Sequence, residues 1–145
     1  MSGSTHLAIR EALAEALRRD PPVCDRIDEQ RDLTLPSGVT ASISVFRDTS
    51  RAAPGAILGA PFDWTTRMRV LVKARATSTG TAEANADALA LVAYARVMAD
   101  PSLGGVADDL VPEDLTWDQD DADTGVALAL LNFRITHRTA GGSIA

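Results

Sequence analysis

Few residues of this chain could carry chemistry. His6 and His137 are its only histidines, one near the amino terminus and the other in the last apolar stretch. Neither belongs to a Gly-x-Ser-x-Gly, Gly-x-x-x-x-Gly-Lys or His-Glu-x-x-His pattern, whose spacings build a nucleophile, a phosphate cradle or a metal pair. Cys24 stands alone, with no second cysteine for a disulfide or a metal site. We therefore expect a protein that is not an enzyme and needs no cofactor.

A second chemical candidate is an acidic segment, residues 100–123, which holds nine acidic residues and no basic one. Clustered carboxylates are the ligands that Ca²⁺ prefers. A loop of EF-hand type that began at Asp118 would have Ala122 in place of its third ligand and Ala129 in place of its bidentate glutamate. The pattern therefore favours an acidic loop that precedes a strand over a metal site.

A basic counterpart lies at residues 67–75, with four basic residues and no acidic one. Residues 62–76 alternate between apolar and polar side chains, which is typical of a strand with one buried face. The basic residues share the polar face and form a basic stripe: Arg67, Arg69, Lys73 and Arg75. The net charge of −6 argues against a protein that wraps nucleic acid by neutralising its phosphates.

The composition predicts one domain with a core of small aliphatic side chains. The chain has 145 residues, 46% of them hydrophobic, with only three Phe, two Trp and one Tyr. A chain of this length buries roughly two thirds of the surface that its unfolded form exposes. No apolar run reaches transmembrane length and no signal-peptide pattern is present. We expect a soluble cytoplasmic product without a membrane partner.

Helical and extended patterns alternate along the chain. Ser4 or Thr5 can cap a short helix that ends before Asp20, and Thr81 can cap a long helix at residues 82–99. Residues 40–46, 62–76 and 124–139 have the alternation of strands. The apolar face predicted for the long helix consists of Ala88, Leu91, Val92, Ala95 and Met98.

These elements predict an α+β domain over residues 1–139, with a flexible tail at residues 140–145. We expect a mainly antiparallel sheet of about four to five strands, with the two main helices packed on one face. Residues 51–61 form a Pro- and Gly-rich loop that carries the apolar pair Ile57 and Leu58. Such a loop either folds back on the core or meets a partner.

The long helix is followed by the turn Asp100-Pro101-Ser102-Leu103-Gly104-Gly105-Val106, and the final strand ends in His137-Arg138-Thr139. In this order of elements, over residues 7–139, the chain resembles the tail terminator proteins of long-tailed bacteriophages, the minor tail protein U family and its relatives. The resemblance implies a structural protein that forms a hexameric ring on the head-proximal end of the tail tube. Such a ring ends tube polymerisation and presents the surface that joins the head.

The resemblance also implies the partners and the location. The partners are further copies of the chain, the tail tube protein and a head-completion or connector protein. DNA passes through the channel only in transit. The protein is part of the virion tail and is assembled in the cytoplasm of the bacterial host.

A ring needs two different faces on each subunit that meet head to tail. The basic stripe of one subunit and the acidic segment of the next are complementary in charge and are our candidates. The alternative is that both are solvated faces, since surface ion pairs contribute only about 0–1 kcal/mol each. The other candidate interface residues are Ile57, Leu58, Asp118, Asp120, Asp121 and Asp123.

Two other classes of function remain open from the residues. Another phage neck component, such as a head-closure or tail-completion protein, would share the size and the ring assembly. A small-molecule-binding domain or an enzyme would need a concave polar pocket with convergent titratable groups. The acidic segment is the only candidate for such a pocket.

Overall fold

The chain folds into two helices and one five-stranded sheet in the computed structural model, which describes residues 3–29, 35–53, 60–120, 123–140 and 144. The predicted α+β class is confirmed, as are a mostly antiparallel sheet and two helices on one face of it. Ile57, Leu58 and Asp121 lie outside the described residues, and only the backbone of Asp123 is described. The elements are α1 (Thr5–Arg18), β1 (Ile27–Asp28), β2 (Ala41–Ala52), β3 (Phe62–Arg75), α2 (Ala82–Met98), β4 (Asp109–Asp120) and β5 (Asp123–Thr139).

The strands lie side by side in the order β1-β2-β3-β5-β4. β1 runs parallel to β2, and every other neighbouring pair is antiparallel. The longest pairing joins β3 to β5, from Phe62 opposite Thr139 to Arg75 opposite Val126. Because residues far apart in sequence pair along the whole length of both strands, β3 and β5 form the centre of the sheet.

The core lies between this sheet and the two helices. α1 packs on β1 and β2, whereas α2 packs on β3 and β5. The helices contribute Ile9, Leu13, Leu17, Ala90, Ala93 and Val97 to the core, and the sheet contributes Ile43, Val45, Met68, Val70, Val72, Leu131, Phe133 and Ile135. The alternation in β3 and β5 therefore predicts their buried faces correctly.

Both helices begin as the sequence predicts. The N–H of Leu7 donates to Ser4 Oγ at 3.2 Å, and the N–H of Ala84 donates to Thr81 Oγ1 at 3.2 Å. These caps satisfy N–H groups that have no partner within a helix. The turn after α2 holds Leu103, Gly104 and Gly105 at φ values of 51°, 73° and 96°, in the left-handed region that glycine favours.

The buried face of α2 is different from the predicted one. Its buried residues are Ala86, Ala90, Ala93 and Val97, while Leu91 is 68% and Val92 is 49% exposed. Apolar side chains surround most of this helix, so their spacing does not select one face. The alanine face packs on the sheet because small side chains allow a close approach, and the larger side chains remain at the surface.

Two strands are absent from the sequence prediction. The sequence predicts a loop for the acidic segment, but its residues 109–120 form β4, which pairs with β5. Ile27 and Asp28 form the short β1 beside Ile43 and Ser44. Neither strand has a buried face long enough to show an alternation, so only the pairing with a distant strand defines it.

The guanidinium of Arg96 joins the two helices at their carboxyl ends. It donates to the carbonyl oxygens of Ala16 at 3.1 Å, Arg19 at 2.7 Å and Pro21 at 2.5 Å. The last carbonyls of a helix have no partner within it. A side chain of α2 therefore satisfies the end of α1 and the turn that follows.

We predict that Arg96→Ala lowers the free energy of unfolding by about 1–3 kcal/mol, because carbonyls at the end of α1 lose a charged donor. Urea denaturation followed by circular dichroism measures this difference. Arg138→Ala is the matched control, since its ion pair with Asp63 is exposed and surface pairs contribute little. Equal losses in the two variants would contradict a capping role for Arg96.

Candidate functional site

The basic stripe lies on the face of the sheet opposite the helices, which we call the open face. Arg67, Arg69, Lys73 and Arg75 occupy alternate positions of β3, with the buried Met68, Val70 and Val72 between them on the other side. Arg75 turns towards backbone, donating to the carbonyls of Leu35 at 2.9 Å and Val39 at 3.2 Å. The other three cations meet carboxylates.

Arg67 is surrounded by three carboxylates from both sides of β3. Its guanidinium nitrogens lie 3.4 Å from Asp48 of β2, and 3.3 Å and 3.2 Å from Glu113 and Asp114 of β4. Asp48 also accepts from Arg69 at 3.1 Å. Since β5 lies between β3 and β4, the Arg67 side chain extends across β5 to reach the edge strand.

Two irregularities of the sheet place these carboxylates. The register of β2 against β3 shifts between Arg47 and Thr49, and that of β4 against β5 shifts between Pro112 and Asp114. The unpaired residues at the two shifts are Asp48 and Glu113. A β-bulge re-aims the side chain of its extra residue, and here both bulges carry an acidic residue that contacts Arg67.

Lys73 makes the same kind of connection at the carboxyl end of β4. Lys73 is 6% exposed, and its Nζ lies 3.9 Å from a carboxylate oxygen of Asp120. The basic stripe and the acidic segment therefore meet within one chain, at Arg67 and at Lys73. These ion pairs do not require a second subunit.

Of the remaining predicted interface residues, only Asp118 has a described side chain. Asp118 is exposed on β4, and its carboxylate accepts from the N–H of Gln119 at 2.8 Å. Within the described ranges, no group of three or more His, Cys, Asp or Glu side chains is placed to hold a metal ion. The intersubunit role assigned to these charges stays a prediction.

A histidine cluster joins two residues that the sequence places far apart. The rings of His6 and His137 lie edge to face with centroids 4.7 Å apart, and His6 also contacts Trp64 at 4.9 Å. Hydrogen bonds run from His6 Nε2 to Ser50 Oγ (2.9 Å), from Ser50 Oγ to Thr66 Oγ1 (2.8 Å), and from Thr66 Oγ1 to His137 Nε2 (2.7 Å). No local motif signals this cluster, because four elements contribute to it.

Burial makes His137 a weak base. The ring is 1% exposed, and Nδ1 has no hydrogen-bond partner in the described part of the chain. Burial, reinforced by repulsion from His6 and opposed by Asp108, lowers the pKa of His137 to about 4. Burial and the nearby Arg47 also lower the pKa of His6. Both rings are neutral at pH 7, and the cluster is a polar part of the core.

An apolar groove of about 420 Å³ opens on the helix side of the sheet, between α2 and β4. α2 covers β3 and β5, so the neighbouring part of β4 has no helix above it. The exposed side chains on this surface include Leu91 and Trp117, at 68% and 60% exposure. The apolar groove is lined by Leu91 and Tyr94 of α2, Pro112 and Leu115 of β4, and Leu131 and Phe133 of β5.

Among the described residues, the rim of the apolar groove has one free acidic side chain, Asp87. Glu113, Asp114 and Asn132 also line the groove, but the carboxylates of Glu113 and Asp114 contact Arg67 on the open face, and no described Lys or Arg residue lines the groove. The sequence prediction missed this groove for two reasons already seen: it assigned the wrong face to α2 and a loop to β4. Exposed apolar side chains around a groove are typical of a protein-binding surface.

We predict that Arg67→Met lowers the free energy of unfolding by about 1–2 kcal/mol, because three neighbouring carboxylates lose their shared cation. The loss should shrink in 1 M NaCl, which screens the remaining repulsion. Arg134→Met is the control: Arg134 lies opposite Arg67 in the ladder, is exposed and forms no ion pair within the described residues. An equal loss in both variants would mean that the network around Arg67 does not stabilise the sheet.

We predict that acid weakens the fold through His137. The ring binds a proton near pH 6.5 in the unfolded chain but only near pH 4 in the folded one, so stability is lost as pH falls between these values. The expected loss is about 3 kcal/mol at pH 4. His137→Gln cannot titrate, so its unfolding free energy, measured in urea at pH 7, 5.5 and 4, should fall by less. Parallel curves for wild type and variant would contradict this prediction.

Comparison with known proteins adds no relative to this description. No family model matches the chain, and no curated protein sequence matches it. None of the described helices is long and apolar enough to span a membrane.

Proposed function

We propose that this chain is a structural protein of a phage tail, a terminator that caps the head-proximal end of the tail tube as a hexameric ring. The observation that carries the proposal is the apolar groove with its exposed neighbours Leu91, Leu115 and Trp117. A domain of this size that exposes contiguous apolar surface needs a partner to cover it. The basic stripe and the acidic segment are paired within the chain at Arg67 and Lys73, so association is expected to depend more on apolar contact than on these charges.

The two edges of the sheet support a head-to-tail assembly. At one edge, β4 is an acidic strand with the apolar groove beside it. At the other edge, β1 pairs only with Ile43 and Ser44, so the rest of the outer side of β2 has no strand partner among the described residues. Two unlike surfaces at opposite ends of a subunit are what a cyclic ring requires.

The order of elements also supports the proposal. α2 is followed by the turn at Leu103, Gly104 and Gly105, and the chain continues to the long final strand β5, which ends at Thr139. This order carries the resemblance to the terminator proteins. A net charge of −6 per subunit would let DNA pass the ring without adhering to it, because like charges repel.

We predict a mass near six times 15.3 kDa for the purified protein at high concentration, measured by light scattering on a sizing column. The ring should also stop the growth of tail tubes when it is added to polymerising tube protein, with bovine serum albumin as the inert control. A ring that binds a head connector and leaves tube growth unchanged would instead identify another neck component. If the folded protein neither stops tube growth nor binds a head connector, the proposal is refuted.

A further inference from the structure

We propose that the apolar groove binds the β2–β3 connection, residues 53–61, of a second copy of this chain. The inference rests on the proposed ring and names the contact that would build it. The apolar groove lies between α2, β4 and β5, whereas the connection leaves the sheet at the ends of β2 and β3, so the two are different surfaces of one subunit. A contact between them in different copies is therefore head to tail.

The composition of the connection matches the apolar groove. The sequence contains no charged residue from Ala52 to Phe62 and includes Ile57 and Leu58. The apolar groove offers Leu91, Tyr94 and Leu115 as a surface for such side chains. Burial of one Leu or Ile side chain contributes about 1.5–3 kcal/mol, so two of them can support a specific contact.

The charges around the two surfaces are complementary. The rim of the apolar groove carries the exposed Asp87 and no described basic residue, whereas the carboxylates of Glu113 and Asp114 are paired with Arg67 on the open face. The connection follows Arg51, which is exposed and forms no ion pair within the described residues. Opposite charges at the rim of an apolar contact favour one orientation of the bound segment.

The connection is too short to reach the apolar groove of its own subunit. Ala53 is anchored, because its N–H donates to the Asp63 carbonyl at 2.7 Å. Residues 54–61 are about 28 Å long when fully extended, so a loop fixed at both ends reaches about 14 Å. Leu115 of the apolar groove pairs with Leu131 of β5, and Leu131 pairs with Val70 of β3. Val70 lies six residues along β3 from Trp64, which pairs with Ala52 at the end of β2. That position is about 20 Å along the strands and about 14 Å across them, so another copy must supply the segment.

Two variants divide the contact into its halves. Leu91→Asp with Leu115→Asp changes the apolar groove, and Ile57→Asp with Leu58→Asp changes the connection. The matched control is Val92→Asp with Val106→Asp, at two exposed apolar residues that do not line the apolar groove. Circular dichroism and urea denaturation verify that each variant is folded.

We expect the groove variant and the connection variant to be monomers at concentrations where wild type and control form the ring, with self-association weakened more than about tenfold. Mixing the two variants should give the mass of two chains. Each variant still has one intact half, so one contact forms and no further copy can add. Wild-type mass in either variant, no dimer in the mixture, or a control as defective as the groove variant would each overturn the inference.

A peptide of residues 51–62 tests the same contact without altering the fold of the protein. It should bind the monomeric connection variant saturably, detected by the fluorescence of Trp117, and it should dissociate the wild-type ring. No binding would overturn the inference. If the variants behave as expected but the wild-type ring leaves tube growth unchanged, the contact stands and the tail function fails. If the ring caps tubes and both variants still form it, the tail function stands and this contact fails.

Discussion

The antiparallel pairing of β3 with β5 is the contact on which the rest of the structure depends. The two strands pair from Phe62 opposite Thr139 to Arg75 opposite Val126, and the register decides which side chains lie on each face. A slip by one residue would exchange the faces and bury the basic stripe. With this register, one face supports both helices and the other presents the cations to the carboxylates of β2 and β4.

The edge strand β4 shows how this arrangement stabilises an unusual sequence. β4 is acidic and largely exposed, and Leu110 is its one buried side chain. It is held by its ladder to β5 and by Arg67 and Lys73, which reach across β5 to the middle of β4 and to its carboxyl end. The same carboxylates charge an edge that would otherwise be open to unspecific strand pairing. These charges thus hold β4 on the sheet and protect its free edge from unspecific strand pairing.

Internal neutralisation also changes which surface is available to a partner. Because Arg67, Arg69 and Lys73 meet carboxylates of the same chain, the basic stripe offers little net attraction to a neighbour. The apolar groove remains, because the alanine face of α2 packs on the sheet and leaves Leu91 and Tyr94 beside β4. Small residues on the buried side of a helix therefore leave its larger apolar side chains at the surface.

The sequence alone determined the features that depend on neighbouring residues. The caps at Ser4 and Thr81, the spans of both helices and the alternation in β3 and β5 follow from local chemistry, and they predict the α+β class. Only the tertiary structure decided that an acidic segment forms β4, that α2 buries its alanines, and that His6 touches His137. It also decided that Arg67 and Lys73 find their carboxylates within the chain. Each of these depends on contacts between residues far apart in sequence, which local periodicity does not encode.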